Sequence, residues 1–253
     1  MRASLIQLAY DDDEPLDARV DRAADLVRAQ TGSDLVLLPE LWPQGGFAYR
    51  SWADQAQPMD GSVVESMRTA AADLGATVHM GSFVERGDDG RLYNTSVLLS
   101  GTGDVLATYR KIHLFGFGEG EPVLLGAGDQ VVVHDGLGLA TCYDLRFPEL
   151  FRALLDRGAE VVLLVAAWPA KRVHHWRLLA QARAVENQSY VLACNTAGTH
   201  AGYQMGGGSV AVDPGGAVVA EAGTGEEVLV VNLDLATVAA TRKTFPVLAD
   251  RRL

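Results

Sequence analysis

The chain has 253 residues, 48% of them hydrophobic and 21% charged, so it can bury a full hydrophobic core and lies near the upper size of one domain. We therefore predict a single domain over residues 1–253. The formal net charge of −11 argues against binding to nucleic-acid phosphates and against attachment to an anionic membrane surface. Small molecules and other proteins are the expected partners.

The cellular compartment is predicted from the apolar segments and the cysteines. No run approaches the roughly 18 to 20 apolar residues that cross a bilayer, and residues 1–10 lack the long apolar region of a signal peptide. The two cysteines, Cys142 and Cys194, have neither a C-x-x-C spacing nor the pattern of a disulfide framework. A reducing cytoplasm is the predicted location.

Short runs rich in leucine and β-branched residues alternate along the chain with segments of helical periodicity. The length and flanking glycines of these runs favour strands, which we predict at residues 4–8, 34–38, 77–80, 95–99, 138–141 and 161–165. Apolar residues recur at helical spacing elsewhere, and we predict helices at residues 15–30, 62–75, 148–157 and 174–188. Ser62 and Glu65 have the spacing of a capping box at the start of the second helix.

Turn sequences indicate hairpins in two further regions, near residues 94–142 and 190–234. Tight turns are indicated by Asp-Asp-Gly at 88–90, Gly-Thr-Gly-Asp at 101–104 and Asp-Pro-Gly-Gly at 213–216. Helices between strands, together with hairpins, imply mixed sheets covered by helices. Whether the two strand-rich halves are related in structure stays open.

Two reactive side chains directly follow predicted strands. Glu40 comes after the run at 34–38, and Cys142 comes after the run at 138–141. The carboxyl ends of strands in open α/β sheets form the crevice in which ligands bind. A lone Glu is more often a solvated acid and a lone Cys a small buried hydrophobe, so position alone does not decide between these interpretations.

A lysine would complete the chemistry of these two side chains. A thiol must lose its proton to attack a carbon, a carboxylate can accept that proton, and an ammonium can stabilise the thiolate and a developing oxyanion. Lys111 lies 71 residues after Glu40 and 31 residues before Cys142, so only folding could bring the three together.

Three segments resemble the glutamate, lysine and cysteine motifs of the nitrilase superfamily of carbon–nitrogen hydrolases, in the family's order. They read Leu-Leu-Pro-Glu at 37–40, Tyr-Arg-Lys-Ile-His-Leu-Phe at 109–115 and Cys-Tyr-Asp-Leu-Arg-Phe-Pro-Glu at 142–149. The similarity extends from the first strand to the turn at 213–216. It implies an α/β fold, a four-layer α-β-β-α sandwich of two mixed sheets covered by helices. It also implies a homodimer or higher homo-oligomer that packs through its outer helices, and no metal or organic cofactor.

The resemblance also implies a role for each motif residue. Glu40 is expected to act as the general base, Lys111 to stabilise the tetrahedral intermediate and Cys142 to be the nucleophile. Members of the family carry a second active-site glutamate between the lysine and the cysteine. Glu121 fits best because the segment after it resembles the family's, while Glu119 stays open as the alternative.

The residues after Cys142 indicate the kind of substrate. True nitrilases typically continue with Trp-Glu, whereas Tyr-Asp-Leu-Arg at 143–146 resembles the ω-amidase branch, which acts on small monoamides of dicarboxylic acids. Arg146 is then expected to bind a substrate carboxylate through its bidentate fork. An ion pair of Arg146 with Asp144 or Glu149 is the alternative.

Three functions stay open on the sequence alone. The first is hydrolysis of a small, carboxylate-bearing amide through a thioester acyl-enzyme, with release of ammonia; in it the Tyr143 N–H helps to hold the oxyanion and Trp168 walls the pocket. The second is hydrolysis of an N-carbamoyl amino acid or β-ureido acid by the same residues. The third is a catalytically idle scaffold that binds a protein partner. The six histidines show no metal-ligand spacing, so no metal site is predicted.

Overall fold

The computed structural model describes residues 1–252, in which fourteen strands and seven α-helices are formed. The strands are β1 Arg2–Gln7, β2 Leu35–Leu37, β3 Thr77–Arg86, β4 Leu92–Leu99, β5 Val105–Arg110, β6 Val133–His134, β7 Leu137–Thr141, β8 Val161–Ala166, β9 Tyr190–Asn195, β10 Thr199–His200, β11 Tyr203–Gln204, β12 Val210–Val212, β13 Val218–Glu221 and β14 Glu227–Asn232. The helices are α1 Leu16–Arg28, α2 Trp52–Gln55, α3 Ser62–Leu74, α4 Glu121–Leu124, α5 Pro148–Asp156, α6 Val173–Asn187 and α7 Ala236–Thr244. Each strand and helix predicted from periodicity coincides with one of these elements.

Two six-stranded sheets have the same internal pattern of strand directions. The first has the order β14-β1-β2-β3-β4-β5, and the second has the order β6-β7-β8-β9-β12-β13. In each sheet three parallel strands form the centre, with one antiparallel strand on one side and two on the other. The two strand-rich halves are therefore related in structure.

Three apolar cores define the layers of the fold. One core lies between the first sheet and helices α1 and α3 and contains Val36. A second lies between the second sheet and helices α5 and α6 and contains Leu164. The third fills the space between the sheets and contains Leu37 and Leu163, whose side chains point away from those of their strand neighbours. This order of helix, sheet, sheet and helix confirms the predicted α-β-β-α sandwich.

Helix α3 begins differently from the prediction. Gly61 is the residue before the helix, and Ser62 is already its first helical residue, so the Ser62 hydroxyl is one position too late to cap it. The cap comes instead from Gln57, whose Oε1 accepts a hydrogen bond from the Val63 N–H at 2.9 Å. The predicted Ser62–Glu65 capping box is therefore wrong, although the helix and its end at the left-handed Gly75 are as expected.

Candidate active site

The three motif side chains emerge from the carboxyl ends of strands of both sheets. Glu40 follows β2, Lys111 follows β5 and Cys142 follows β7. The second sheet helps to hold the glutamate, because the Ala167 N–H just after β8 donates to Glu40 Oε2 at 2.8 Å. The packing of one sheet on the other therefore builds the site.

A buried cluster of opposite charges surrounds Lys111. Its Nζ lies 2.7 Å from Glu40 Oε1 and 2.8 Å from Glu121 Oε2, and the three side chains are between 1% and 4% exposed. Asn94, within β4, donates from Nδ2 to Glu40 Oε1 at 2.8 Å and to Glu121 Oε1 at 2.9 Å. Both partners of this amide are acceptors, which fixes its orientation. Ammonium and amide together hold the two carboxylates in place.

Burial and neighbouring charges shift the pKa values of three groups here. Burial lowers the pKa of the Lys111 ammonium, but the charges of Glu121 and Glu40 outweigh it and raise that pKa well above its usual value. Burial raises the pKa of Glu121, which Lys111 opposes and Glu40 reinforces. Burial, followed by the negative charge of Glu40, raises the pKa of the Cys142 thiol well above its usual value, although Lys111 opposes it. The resting site therefore contains an ammonium and a neutral thiol.

Cys142 lies at a sharp turn in the backbone. Its φ of 46° is in the left-handed region, which is costly for a residue other than glycine. It opens a 3-10 helix, Cys142–Arg146, in which the side chains of Thr141 and Asp144 form a capping box. The turn projects the thiol toward Glu40 and Lys111. It also leaves the Tyr143 N–H in the first turn of that helix, where backbone donors have no intrahelical acceptor.

Asp144 joins the cysteine turn to the lysine segment. Its Oδ2 accepts hydrogen bonds from the Tyr109 hydroxyl at 2.6 Å and the Thr141 N–H at 2.9 Å. Its Oδ1 accepts one from the His113 N–H at 3.0 Å and lies 2.7 Å from His113 Nδ1. The predicted alternative in which Asp144 pairs with Arg146 is therefore wrong, because the carboxylate is already occupied.

Arg183 of α6 supports the same turn from the other side. Its Nε and Nη2 donate to the Leu145 carbonyl at 3.0 and 2.8 Å. Glu186 pairs with Arg183 Nη1 at 2.8 Å and holds it in position. The nucleophile turn is thus fixed both to the lysine segment and to an outer helix.

One cavity connects this cluster with the expected substrate-binding residues. Tyr143, Arg146 and Trp168 all line it, together with Glu40, Lys111, Glu121 and Cys142. The structure therefore brings together all seven residues singled out from the sequence.

Glu119 lies apart from this arrangement. It is exposed and lines a neighbouring groove, whereas Glu121 touches Lys111 directly. The Phe115 N–H also donates to Glu121 Oε2 at 2.5 Å, so the loop after Lys111 folds around Glu121. Geometry thus favours Glu121 as the second glutamate of the cluster.

Several residues that line the cavity or support its side chains were not recognised as site residues from the sequence. Asn94 and Asp144 stood inside segments that resemble the family, and this was the available signal. Arg172 lines the cavity, but in the basic pair at 171–172 it looks like a surface charge. In the aromatic wall of the cavity, Phe115 ends the lysine motif at 109–115, whereas Phe47 and Tyr49 had no recognisable spacing.

Residues 1–252, which the structure describes, bear on the predictions about membrane spans, metal sites and cysteines. No helix within residues 1–252 is long and apolar enough to cross a bilayer. In the same range, the His, Cys, Asp and Glu side chains form no group of three that could hold a metal ion. Cys142 and Cys194 are both free thiols. The cytoplasmic location stays a prediction.

Comparisons with known proteins agree with this geometry. Residues 2–243 match the model of the carbon-nitrogen hydrolase family. A 2-oxoglutaramate amidase from Paenarthrobacter nicotinovorans is 42% identical over 98% of this chain and 88% of its own length. The crystal structure of Nit3 from Saccharomyces cerevisiae, a member of branch 10 of the nitrilase superfamily, superposes with a TM-score of 0.90 at 30% identity, covering 100% of this chain and 97% of that one.

A further solved structure shows a covalent adduct on an active-site cysteine. It is the E41L mutant of an amidase from Nesterenkonia, in which the acetamide moiety of fluoroacetamide is attached to the active-site cysteine. Its TM-score is 0.82 at 30% identity, and the match covers 99% of this chain and 97% of that one. From these matches, this chain belongs to the carbon–nitrogen hydrolase family of the nitrilase superfamily and is a hydrolase of carbon–nitrogen bonds other than peptide bonds.

Proposed function

We propose that the protein is an ω-amidase-like enzyme that hydrolyses the terminal amide of a small dicarboxylic acid monoamide. The observation that carries this proposal is the lining of one cavity, which contains Cys142 and the Lys111 cluster together with the Arg146 guanidinium. Arg146 has no carboxylate partner among residues 1–252, and Glu149, its second predicted partner, is exposed. A free guanidinium is suited to a substrate carboxylate. The names of the 2-oxoglutaramate amidases among its relatives agree with such a substrate.

The first half of the proposed reaction forms a thioester. Glu40 removes the thiol proton while Cys142 Sγ attacks the amide carbon, and the carbonyl becomes an oxyanion. Lys111 and the Tyr143 N–H stabilise that oxyanion. The carbon–nitrogen bond then breaks, and Glu40 returns its proton to the leaving nitrogen, which departs as ammonia. Because the pKa of the thiol is raised, proton removal and attack are expected to be concerted.

The second half hydrolyses the thioester. Water takes the place of ammonia and loses a proton to Glu40 as its oxygen attacks the acyl carbon. The carbon–sulfur bond then breaks, the sulfur recovers the proton from Glu40, and the carboxylic acid leaves. Glu121 accepts a hydrogen bond from the substrate amide in the first half and keeps Lys111 in place in both.

A substrate panel tests this proposal. We would measure ammonia and carbon dioxide released from succinamate, glutaramate, 2-oxoglutaramate, N-carbamoyl-β-alanine and neutral butyramide. We expect ammonia without carbon dioxide, and kcat/KM at least about tenfold higher for the dicarboxylate monoamides than for butyramide, since a charged hydrogen bond contributes about 1.5–3 kcal/mol. Release of both products from the carbamoyl compound alone would overturn the proposal in favour of a carbamoyl amidohydrolase.

We also propose that the chain forms a homodimer through its outer helices. Leu178 and Val185, seven residues apart on α6, are 64% and 50% exposed on one helix face. An apolar face of this kind is suited to burial against a second copy. Light scattering should give twice the mass of one chain for the wild type and a smaller mass for Leu178→Glu; a wild-type monomer would contradict this.

Finally, we propose that residues 1–253 act as one domain. Glu40 and Lys111 come from the first sheet and Cys142 from the second, so neither sheet alone contains the cluster. Urea unfolding followed by tryptophan fluorescence and by circular dichroism should give coincident transitions. Two separated transitions would indicate two domains.

A further inference from the structure

Arg172 is a second guanidinium in the same cavity. It ends the 3-10 turn Ala170–Arg172 just before α6, and its side chain lies 5.4 Å from the centre of the Phe115 ring. It is half-buried, and among residues 1–252 it has no carboxylate partner. Aromatic contact orients this charge without neutralising it.

Trp168 connects the two cavity arginines. The Arg146 guanidinium lies 4.7 Å from the centre of the Trp168 ring, and the indole N–H donates to the Arg172 carbonyl at 2.8 Å. Arg146 Nη2 lies 3.4 Å from His175 Nδ1. Because a guanidinium has only hydrogen-bond donors, Nδ1 must be the acceptor. Both arginines are thus placed by rings and neutral groups, which leaves hydrogen-bond donors free.

The cavity lining has more cationic than anionic side chains, so it is suited to bind an anion. Its lining holds three cations, of which Lys111 is paired with the two lining carboxylates, Glu40 and Glu121. The pKa of Arg146 is lowered by burial and then by the nearby charge of Arg172, so the two guanidiniums repel each other. A bound anion removes this repulsion, and the site is positive in a chain whose net charge is −11.

One carboxylate can occupy the fork of one arginine with its two oxygens. The second guanidinium then needs another acceptor, and the nearest substrate atoms are those on the carbon next to the carboxylate. A 2-oxo oxygen accepts hydrogen bonds. A 2-amino group is an ammonium at neutral pH, has only donors, and is repelled by the guanidinium.

We propose that Arg172 determines specificity by contacting the substituent next to the substrate carboxylate. It donates a hydrogen bond to an oxygen there and repels an ammonium. This inference rests on the proposed function, because it requires that Arg146 binds that carboxylate. It assigns to Arg172 the discrimination between 2-oxo monoamides and the amides of free amino acids. An enzyme so equipped can work amid an excess of glutamine.

The test compares kcat/KM for 2-oxoglutaramate, glutaramate, glutamine and butyramide in the wild type and in Arg172→Gln. We expect the ratio of 2-oxoglutaramate to glutaramate, and that of glutaramate to glutamine, each to fall by about 10- to 100-fold. Arg172→Lys keeps the charge without the fork, so it should lose the first ratio and keep most of the second. Lys171→Gln removes a neighbouring exposed charge outside the cavity and should leave both ratios within about twofold of the wild type.

Unchanged ratios in Arg172→Gln, or an equal change in Lys171→Gln, would overturn the inference. A loss of equal size on all four amides in both Arg172 variants would also overturn it, since that pattern indicates a structural role. The proposed function fails differently, if wild-type enzyme prefers neither glutaramate nor 2-oxoglutaramate to butyramide.

Discussion

Two groups of charged residues line the cavity and differ in their electrostatics; we call them the reactive end and the recognition end. At the reactive end, Lys111 is paired with Glu40 and Glu121, and all three are almost completely buried. At the recognition end, Arg146 and Arg172 are half-buried, rest on aromatic rings and have no carboxylate partner among residues 1–252. The reactive end is complete before a substrate arrives, whereas the recognition end is completed by the substrate.

This difference predicts which substitutions affect stability and which affect only specificity. Removing one partner from a buried set of charges leaves the others without compensation. Removing a guanidinium that has no carboxylate partner in the free protein leaves no such charge. Variants at the two ends should therefore separate turnover and stability from substrate preference.

The largest effect is expected at the nucleophile. Cys142→Ala should lower turnover of glutaramate by about 10⁴-fold or more, because no other group can form the thioester. The measurement is ammonia release, with Cys194→Ala as the matched control. Cys194 lies in the core between the sheets, so this control should keep its activity. Full activity in Cys142→Ala, or an acyl adduct on Cys194 alone by mass spectrometry, would refute the assignment.

Lys111→Met should lower both the turnover of the enzyme and the stability of the fold. Loss of an oxyanion donor lowers kcat by about 10²- to 10³-fold. Two buried carboxylates without their cation should also lower the free energy of unfolding in urea by about 3–5 kcal/mol. The raised pKa of Lys111 means that its stabilisation is complete below the usual lysine pKa and is lost only as the pH rises through the higher folded value. A variant as stable as the wild type at pH 7 would contradict the paired arrangement.

Arg146→Gln should give the opposite result at the recognition end. We expect kcat/KM for glutaramate to fall by about 10- to 100-fold relative to butyramide, with the free energy of unfolding changed by less than about 0.5 kcal/mol. Arg177→Gln is the matched control, because Arg177 pairs with Glu221 on the surface outside the cavity. A large loss of stability in Arg146→Gln would show that the two ends do not differ as described.

The protonation state of the thiol gives a smaller, spectroscopic signal. Because burial and Glu40 raise the pKa of Cys142 well above 9.0, the thiolate fraction at pH 7 should be below about 1%. The ultraviolet absorbance of thiolate, taken as wild type minus Cys142→Ala, should stay near zero until the pH passes 9.0. A thiolate signal at neutral pH would indicate a preformed ion pair with Lys111.

The smallest effect is expected for Glu119→Gln. Glu119 is exposed and outside the cluster, so kcat/KM should stay within about twofold of the wild type. Glu121→Gln should lower kcat by about 10²-fold, because it weakens the hold on both Lys111 and the substrate amide. The reverse order of effects would assign the second glutamate to Glu119.

Local sequence was sufficient for the elements and for the three motif residues. Apolar runs mark β2 and β8 because hydrophobic patterning is a local property, and Glu40 and Cys142 directly follow such runs. The predicted Ser62 cap is wrong because the sequence pattern fits two helix starts that differ by a single residue. Boundaries of this kind depend on which side chain reaches the first free N–H.

The remaining site residues could not be recognised from the residues themselves because their role depends on tertiary contacts. Asn94 lies in the middle of a strand, and only the packing around β4 brings its amide to Glu40, 54 residues away. Arg172 and Lys171 form one basic pair in the sequence, and only the fold turns Arg172 toward the cavity. The resemblance to a family supplied the roles of the motif residues, and the fold supplied the groups that support them.

Strand β14 also determines when the protein can finish folding during synthesis. It closes the first sheet by pairing with β1, from Arg2 with Asn232 to Gln7 with Glu227. Until residues 227–232 leave the ribosome, the nascent chain carries an open strand edge beside the strand that leads to Glu40. Such distant pairing slows folding and favours aggregation of incomplete chains. The yield of active enzyme is therefore expected to depend on chaperone supply and on translation speed.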